Sequence, residues 1–152
     1  MARFSVWTVG RSRTGWANEA VEDYTRRLRR YGGIEEHSVR PERFRGDVEV
    51  VRRAEAERLL AAGARAQLVA LDERGETLST EAFARLVDEG RRAGRLAFAL
   101  GGPYGHGAAL RASAWRTVRL SELVLNHEVA RVLLYEQLYR AMTLLEGVPY
   151  HH

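Results

Sequence analysis

The stretch Leu96-Ala97-Phe98-Ala99-Leu100-Gly101-Gly102-Pro103-Tyr104-Gly105-His106-Gly107 joins an unbroken apolar run to a glycine-rich turn. An apolar run of this length is typical of a strand that is buried on both faces, as in a parallel sheet. Glycine allows positive φ and lets a ligand approach the bare backbone. Ligands of open α/β sheets bind in the crevice beyond the carboxyl ends of the strands. The stretch therefore predicts a core strand followed by a binding site.

Hydrophobic patterning elsewhere alternates between strand and helix. Further strands are predicted at residues 3–9, 34–39, 67–71 and 117–120. Helices are predicted at residues 17–30, 48–62, 108–115 and 128–145, and in a segment capped by Ser79. The segment Asp72-Glu73-Arg74-Gly75 has the composition of a turn that ends its strand. This alternation predicts a single α/β domain over residues 1–152, with a mostly parallel sheet and helices on both faces.

Composition narrows the class of protein. Apolar residues make up 45% of the 152 residues, which is enough for a conventional core. The chain has no cysteine, which excludes disulfides and thiolate metal sites. No apolar run approaches the ~20 residues of a membrane span, and the N-terminus lacks a signal-peptide core. We therefore expect a soluble, cytoplasmic protein that neither enters a membrane nor depends on a metal.

The chain carries a net charge of +4, and all 24 basic residues are arginine. Guanidinium groups bind phosphates bidentately and stack on bases, so such a surface suits RNA, although a coding bias towards arginine explains it equally well. Candidate RNA contacts are Arg11 and Arg13 in a polar loop, and Arg26 and Arg27 in the densest basic cluster. Because cations are favoured at a helix C-terminus, that cluster either caps its helix or binds RNA.

The residues themselves do not identify a reaction. The glycine turn fits neither the dinucleotide fingerprint nor the phosphate-loop pattern. No Ser/His/Asp arrangement, carboxylate pair or metal-ligand spacing stands out. His127 lies between a strand end and a helix start, where a histidine either bonds to the helix terminus or faces the crevice. Patterning alone predicts an α/β binding protein with a glycine-lined pocket.

Several separate blocks of the chain resemble the ribosomal large-subunit methyltransferase H family. The resemblance rests on Leu71-Asp72-Glu73-Arg74-Gly75, Ala99-Leu100-Gly101-Gly102-Pro103-Tyr104-Gly105, Leu120-Ser121-Glu122-Leu123-Val124-Leu125, His127, Arg131 to Ala141, and Pro149-Tyr150-His151. Matches at Val9-Gly10, Trp16, Tyr24 and Arg27-Leu28 extend it to the N-terminus.

The resemblance implies a fold and an activity that spacing alone does not. Members of the family are dimeric SPOUT-class enzymes with an α/β trefoil knot formed by the C-terminal segment. They methylate N3 of a pseudouridine in 23S rRNA of the large ribosomal subunit or ribosome, using S-adenosylmethionine. The family positions imply that the cofactor contacts Leu71, Gly101, Gly102, Leu120, Ser121, Glu122, Leu123, Val124 and Leu125. They also imply that His127, Tyr150 and His151 position the substrate, and that Arg131 binds phosphate or bridges the dimer.

Three positions depart from the family pattern. Asn126 and Glu128 replace the prolines that usually flank the histidine, and His152 stands where an arginine is common. These changes affect RNA docking more than cofactor binding. Two other functions remain open: a SPOUT-type methyltransferase acting on another RNA, and a non-catalytic ribosome-binding protein. A nicotinamide dehydrogenase is disfavoured because the fingerprint spacing is absent.

Overall fold

In the computed structural model, which describes residues 2–152, the apolar run Leu96–Leu100 forms the central strand of a five-stranded sheet. The strands in chain order are β1 (Phe4–Val9), β2 (Ile34–Val39), β3 (Gln67–Thr77), β4 (Leu96–Leu100) and β5 (Arg116–Arg119). Their order across the sheet is β2-β1-β4-β3-β5, and every pairing is parallel. The carboxyl ends of all five strands therefore point towards the same edge.

Five α-helices connect and cover these strands within the described residues. They are α1 (Gly15–Leu28), α2 (Val48–Ala62), α3 (Thr80–Arg92), α4 (Ala108–Ser113) and α5 (His127–Leu145), and a 3₁₀ turn (Arg29–Tyr31) follows α1. No described helix is both long enough and apolar enough to cross a membrane. The α/β class, the parallel sheet and the helices on both faces are confirmed, whereas the threading of the C-terminal segment stays a prediction.

The two faces of the sheet bury side chains of different size. On one face, Phe98 and its neighbours pack against α1, α3 and α5. On the other, Ala97 and Ala99 pack against α2 and α4. Successive side chains of a strand point to opposite faces, so the alternation of large and small residues in β4 produces this difference directly. Helix α5 packs against α1 and α3, and its first residue, His127, lies beside the carboxyl ends of β3, β4 and β5.

Local capping explains where three helices begin. The side chains of Asp47, Ser79 and Asn126 accept hydrogen bonds from the backbone N–H groups of the first turns of α2, α3 and α5. The cap predicted at Ser79 is confirmed. Asn126 replaces a proline of the family pattern, and its capping bond to the N–H of Glu128 gives the start of α5 a defined geometry.

The turn predicted at Asp72-Glu73-Arg74-Gly75 is wrong, because β3 continues to Thr77. Leu71 and Glu76 both align with Val118 of β5, so the intervening residues bulge out of the ladder. A Cβ atom at Gly75 would lie 2.6 Å from the backbone of Val118, so this position requires glycine. The other differences are shifts of helix and strand ends by one or two residues, the largest being at α1 and α4.

Candidate functional site

A pocket of about 480 Å³ lies at the carboxyl edge of the sheet, beyond β3, β4 and β5. We call it the main pocket. Its walls come from residues 71–74 in the bulge of β3, residues 100–106 of the glycine turn, and residues 119–121 and 123–127 from the end of β5 to the start of α5. Its volume lies within the range of small-molecule sites, which is roughly 300–1,000 Å³. The pocket therefore lies where the sequence predicts a site.

Most of the predicted cofactor contacts line this pocket. Those that do are Leu71, Gly101, Gly102, Leu120, Ser121, Leu123, Val124 and Leu125. Glu122 does not line it, because its side chain points into solvent and lies 3.7 Å from Arg119. Three chain segments that are far apart in sequence thus meet around one cavity.

A side chain would be tightly packed at two consecutive positions of the glycine turn. A Cβ atom at Gly102 would lie 3.1 Å from Val9 and 3.3 Å from the carboxylate of Glu55, behind the turn. At Gly101 it would lie 3.3 Å from the backbone of Gly105. The N–H of Gly105 donates to the carbonyl of Gly102 at 2.9 Å and closes the turn. Bare backbone therefore faces the pocket, and close packing behind it keeps it there.

The third wall of the pocket is apolar and protrudes into solvent. Leu123 and Val124 are 77% and 86% exposed, although both are large aliphatic residues. The backbone N–H of Leu123 donates to Ser121 Oγ at 3.0 Å, which turns the segment outward. Contiguous exposed apolar side chains indicate a surface that is covered by a ligand or another protein chain.

Four arginines at the pocket were not predicted from the sequence. They are Arg52, Arg74, Arg111 and Arg119. Arg111 donates to the carbonyl of His106 at 2.9 Å and lies 3.4 Å from Asp72, and Arg52 donates to the carbonyl of Tyr104 at 2.8 Å. Each occurs in ordinary polar sequence, so only the tertiary arrangement identifies it. Arg52 also pairs with Glu49 at 2.6 Å and Arg119 lies 3.7 Å from Glu122, so Arg74 is the only one of the four with no acidic partner in residues 2–152.

The glycine turn also contributes a buried histidine. His106 Nε2 donates to the carbonyl of Ala99 at 2.9 Å, and the ring borders the main pocket. Burial lowers the pKa of His106, and the hydrogen bond to Ala99 offsets this only in part. The imidazole is therefore neutral near pH 7 and holds the turn against β4.

The predicted substrate-positioning residues do not lie together within one chain. His127 is the exposed first residue of α5 and lines the main pocket. Tyr150 donates to Glu136 at 3.1 Å, and His151 contacts Arg140 at 3.1 Å. Glu136 lies nine residues along α5 from His127, which corresponds to about 14 Å of helix. Tyr150 and His151 are thus remote from the pocket of their own chain.

The predicted RNA contacts have different surroundings. Arg26 forms ion pairs with Glu22 and Asp23 of α1, and Arg27 pairs with Asp23 and packs over the Tyr24 ring. Arg11 and Arg13 are exposed, and neither forms an ion pair within residues 2–152. Arg26 and Arg27 are therefore paired with acids of their own helix.

Arg131 lies in a second cavity, of about 400 Å³, near the carboxyl ends of β1 and β2. We call it the Arg131 cavity. The guanidinium donates to both carboxylate oxygens of Glu36, at 2.8 and 2.9 Å, and to Asn18 at 2.9 Å. Tyr135 donates to the same carboxylate at 2.8 Å, and Ser12 bonds to Glu128 beside it. Burial lowers the pKa of Arg131, but the hydrogen bonds that it donates to Glu36 and the charge of that carboxylate outweigh burial and raise the pKa overall.

Comparison with solved structures supports the fold. A probable methylase family protein from Haemophilus influenzae superposes with a TM-score of 0.61 at 14% identity, covering 99% of this chain and 71% of that one. TrmJ from Z. mobilis gives a TM-score of 0.52 at 18% identity, with 94% and 70% coverage. At these identities the likeness concerns the fold alone.

Sequence relatives are much closer. A family model described as predicted SPOUT methyltransferase matches residues 2–151. The chain is 40% identical over 153 residues to the ribosomal RNA large subunit methyltransferase H of Geotalea daltonii, covering 99% of both chains. It is 45% identical over 160 residues to that of Brucella anthropi, covering 98% of both. The protein therefore belongs to the ribosomal RNA large subunit methyltransferase H family of SPOUT methyltransferases.

Proposed function

We propose that this enzyme transfers the methyl group of S-adenosylmethionine to N3 of a pseudouridine in 23S rRNA, within the large ribosomal subunit or the ribosome. The observation that carries the proposal is the main pocket, because eight of the nine residues that the family resemblance assigns to the cofactor line it. The near full-length relatives bear the name ribosomal RNA large subunit methyltransferase H. The knot that the family resemblance implies is part of the same proposal.

The residues of the main pocket fit the cofactor. Leu120, Leu123 and Leu125 supply an apolar wall for a flat adenine ring, and backbone groups of that segment are available to bond to its edge. Gly101 and Gly102 present bare backbone to the pocket, which the ribose and methionine portions can approach closely. The arginines of the pocket suit the carboxylate of the methionine portion and the phosphates of the RNA.

Bound S-adenosylmethionine supplies an electrophilic methyl group on a sulfonium centre. The protein contributes alignment of the acceptor nitrogen, which accounts for much of the rate of an in-line displacement. The acceptor N3 must lose its proton to a base or to water. His127 is exposed at the pocket and is free to bond to the acceptor base, whereas the Nε2 of His106 is already bonded to Ala99. We therefore assign His127 to substrate positioning.

A second copy of the chain is part of this proposal. Besides Leu123 and Val124, the large apolar residues Trp16 and Val129 are exposed at the beginnings of α1 and α5. A homodimer would cover them. It would also give Tyr150 and His151 a route to a pocket, since they are remote from their own. Val129→Glu should convert the dimer to monomers in sedimentation experiments, while Val50→Glu, at an exposed valine of α2, should leave it intact.

Calorimetric titration of the protein with S-adenosylmethionine, with NADH as the control ligand, tests the cofactor. Transfer of labelled methyl groups to ribosomes lacking the modification, to naked 23S rRNA and to tRNA tests the substrate. We expect cofactor binding and labelling of ribosomes, with the methyl group mapped to a pseudouridine by mass spectrometry. Labelling of tRNA alone would refute the substrate, and ribosome binding without cofactor affinity would refute an enzymatic role.

A matched pair of variants sharpens the test. His127→Ala should lower kcat at least tenfold and leave the cofactor dissociation constant within a factor of two, because the side chain lies at the pocket edge and is exposed. Glu122→Ala should change neither quantity, because Glu122 is next to the same wall but points away from the pocket. Equal effects of the two variants would contradict the assignment of His127.

A further inference from the structure

The loop between β2 and α2 meets the glycine turn through two exposed aromatic rings. Phe44 of the loop and Tyr104 of the turn are 46% and 37% exposed. Their ring centroids are 5.4 Å apart, and the planes are inclined by 22°, so the rings are stacked. Large aromatic residues usually bury most of their surface, and a stacked pair left open to solvent is a candidate binding surface.

We propose that Phe44 and Tyr104 form an aromatic platform on which a nucleobase of the substrate RNA stacks, and that Arg43 and Arg45 bind the phosphates beside it. The inference rests on the proposed function and names the surface that receives the RNA. Every nucleobase presents a π-face, so exposed aromatic rings beside cationic side chains are the common means of holding single-stranded RNA.

The platform adjoins the main pocket. Tyr104 lines that pocket as well as stacking on Phe44. Arg52, which also lines the pocket, donates to the carbonyl of Tyr104 at 2.8 Å. A nucleotide stacked on the platform is therefore next to the cavity that is proposed to hold the methyl donor, so the platform can guide a neighbouring base into it.

The arginines of this loop are available, unlike those of the predicted helix cluster. Arg40, Arg43 and Arg45 form no ion pair with any carboxylate in residues 2–152. In contrast, Arg26 and Arg27 pair with acids of α1. An arginine without a protein partner can bind a phosphate without first breaking an ion pair. This difference favours the loop arginines over Arg26 and Arg27 as phosphate contacts.

Side chains of α2 hold the loop in place. Glu55 is buried and accepts a hydrogen bond from the backbone N–H of Glu42 at 3.0 Å. Arg58 donates to the carbonyl of Arg40 at 2.8 Å and to the carboxylate of Glu42 at 3.0 Å. The loop conformation is therefore supported before RNA arrives, which reduces the entropy lost on binding.

The test compares Phe44→Ala with Phe44→Tyr in methyl transfer to ribosomes. Phe44 does not line the main pocket, so neither variant should change the dissociation constant of S-adenosylmethionine by more than twofold. Phe44→Ala should raise KM for ribosomes about tenfold with kcat little changed, because stacking on one base is lost. Phe44→Tyr should retain the wild-type KM. An unchanged KM in Phe44→Ala, or a matching loss of cofactor affinity, would overturn the proposal.

The proposed phosphate contacts of Arg43 and Arg45 are tested separately, with their own control. The double variant Arg43→Ala/Arg45→Ala should raise KM and reduce its dependence on salt, because fewer counterions are released. Arg65→Ala, which removes an exposed arginine at the opposite edge of the sheet, should do neither. Binding to ribosomes that is insensitive to salt and to the arginine variants would indicate a protein partner at this surface and would overturn the proposal.

Failure of the platform is distinguishable from failure of the proposed function. Co-sedimentation of the wild type and of Phe44→Ala with ribosomes measures binding without methyl transfer. If the wild type methylates ribosomes and Phe44→Ala binds equally well, the platform is refuted and the function stands. If the wild type does not methylate but Phe44→Ala loses ribosome binding that Phe44→Tyr keeps, the platform stands and the proposed reaction is refuted.

Discussion

The main pocket and the Arg131 cavity lie towards the same edge of the sheet and have similar volumes, yet they differ in how their polar groups are used. The main pocket presents bare glycine backbone, exposed aliphatic side chains and an excess of arginine. In the Arg131 cavity, the central guanidinium is bonded to Glu36 and Asn18. The glycine backbone and the aliphatic side chains of the main pocket are open to a ligand, while the polar groups of the Arg131 cavity largely satisfy one another.

Helix α5 contributes residues to both the main pocket and the Arg131 cavity. His127 and Ala130, in the first turn of α5, line the main pocket, and Arg131 lines the other cavity. The residue type therefore does not decide whether a side chain binds a ligand. What decides it is whether partners within the same chain already occupy its hydrogen-bonding groups, because replacing such partners costs their desolvation and their ion pair.

The difference between the two cavities is tested most strongly by Arg131→Met, for which we expect the largest effect on stability. Removing the guanidinium leaves the carboxylate of Glu36 in a polar cluster without its cation. We expect the free energy of unfolding to fall by about 2 kcal/mol, less than for a fully buried pair because the Glu36 side chain is 26% exposed. Urea denaturation at a fixed protein concentration measures it. Arg119→Met, at the main pocket, is the matched control and should cost less than about 1 kcal/mol, because that side chain is partly solvated.

If the control destabilised the protein as much as Arg131→Met, the distinction between the two cavities would be wrong. The affinity for S-adenosylmethionine gives a second readout. It should stay within a factor of two in Arg131→Met, since Arg131 does not line the main pocket.

The next effect concerns Gly102→Val, which should weaken cofactor binding at least 100-fold. Its branched side chain would press against Val9 and Glu55 behind the turn, and we expect the turn to relieve this contact by moving towards the main pocket. Calorimetric titration measures the loss. Gly15→Ala, where a Cβ atom meets no heavy atom within 4 Å, is the control and should bind normally. Normal affinity in Gly102→Val would show that the turn is not part of the cofactor site.

The smallest effect is a pH dependence that distinguishes the buried histidine of the main pocket from the ion pair of the Arg131 cavity. The pKa of His106 is lower in the folded chain than the value near 6.5 of an unfolded chain. The folded chain therefore binds fewer protons between the two values. The stability that neutral His106 contributes is complete above about pH 6.5 and is lost as the pH falls towards the folded pKa, at no more than about 1.4 kcal/mol per pH unit.

His106→Gln removes this titration and retains an amide that can donate to Ala99. We expect the unfolding free energy of the wild type to fall more steeply than that of His106→Gln between pH 7 and pH 5. Denaturation curves at a series of pH values give the two slopes. Parallel slopes would mean that His106 does not titrate in this range or is accessible to solvent.

Much of the fold could be predicted because its signals are local. The bounds of β2 and α2 and the cap at Ser79 match the prediction, and each depends on periodicity or on a side chain within three residues. The bulge after Leu71 could not be predicted, because its residues have the composition of a turn. Only the pairing of Glu76 and Thr77 with β5, beside the close approach of Gly75 to Val118, shows that the strand resumes.

The sequence by itself determined the central strand, the parallel α/β sheet, the glycine turn and the family, because these follow from patterns of neighbouring residues and from blocks that match in order. Only the tertiary structure decided which charged groups already have a partner within the chain. Arg131 and its partner Glu36 are 95 residues apart, and Phe44 meets Tyr104 from a different loop. Ion pairs and ring stacking act over a few ångströms, so they depend on the folded distance between side chains rather than on their spacing along the chain.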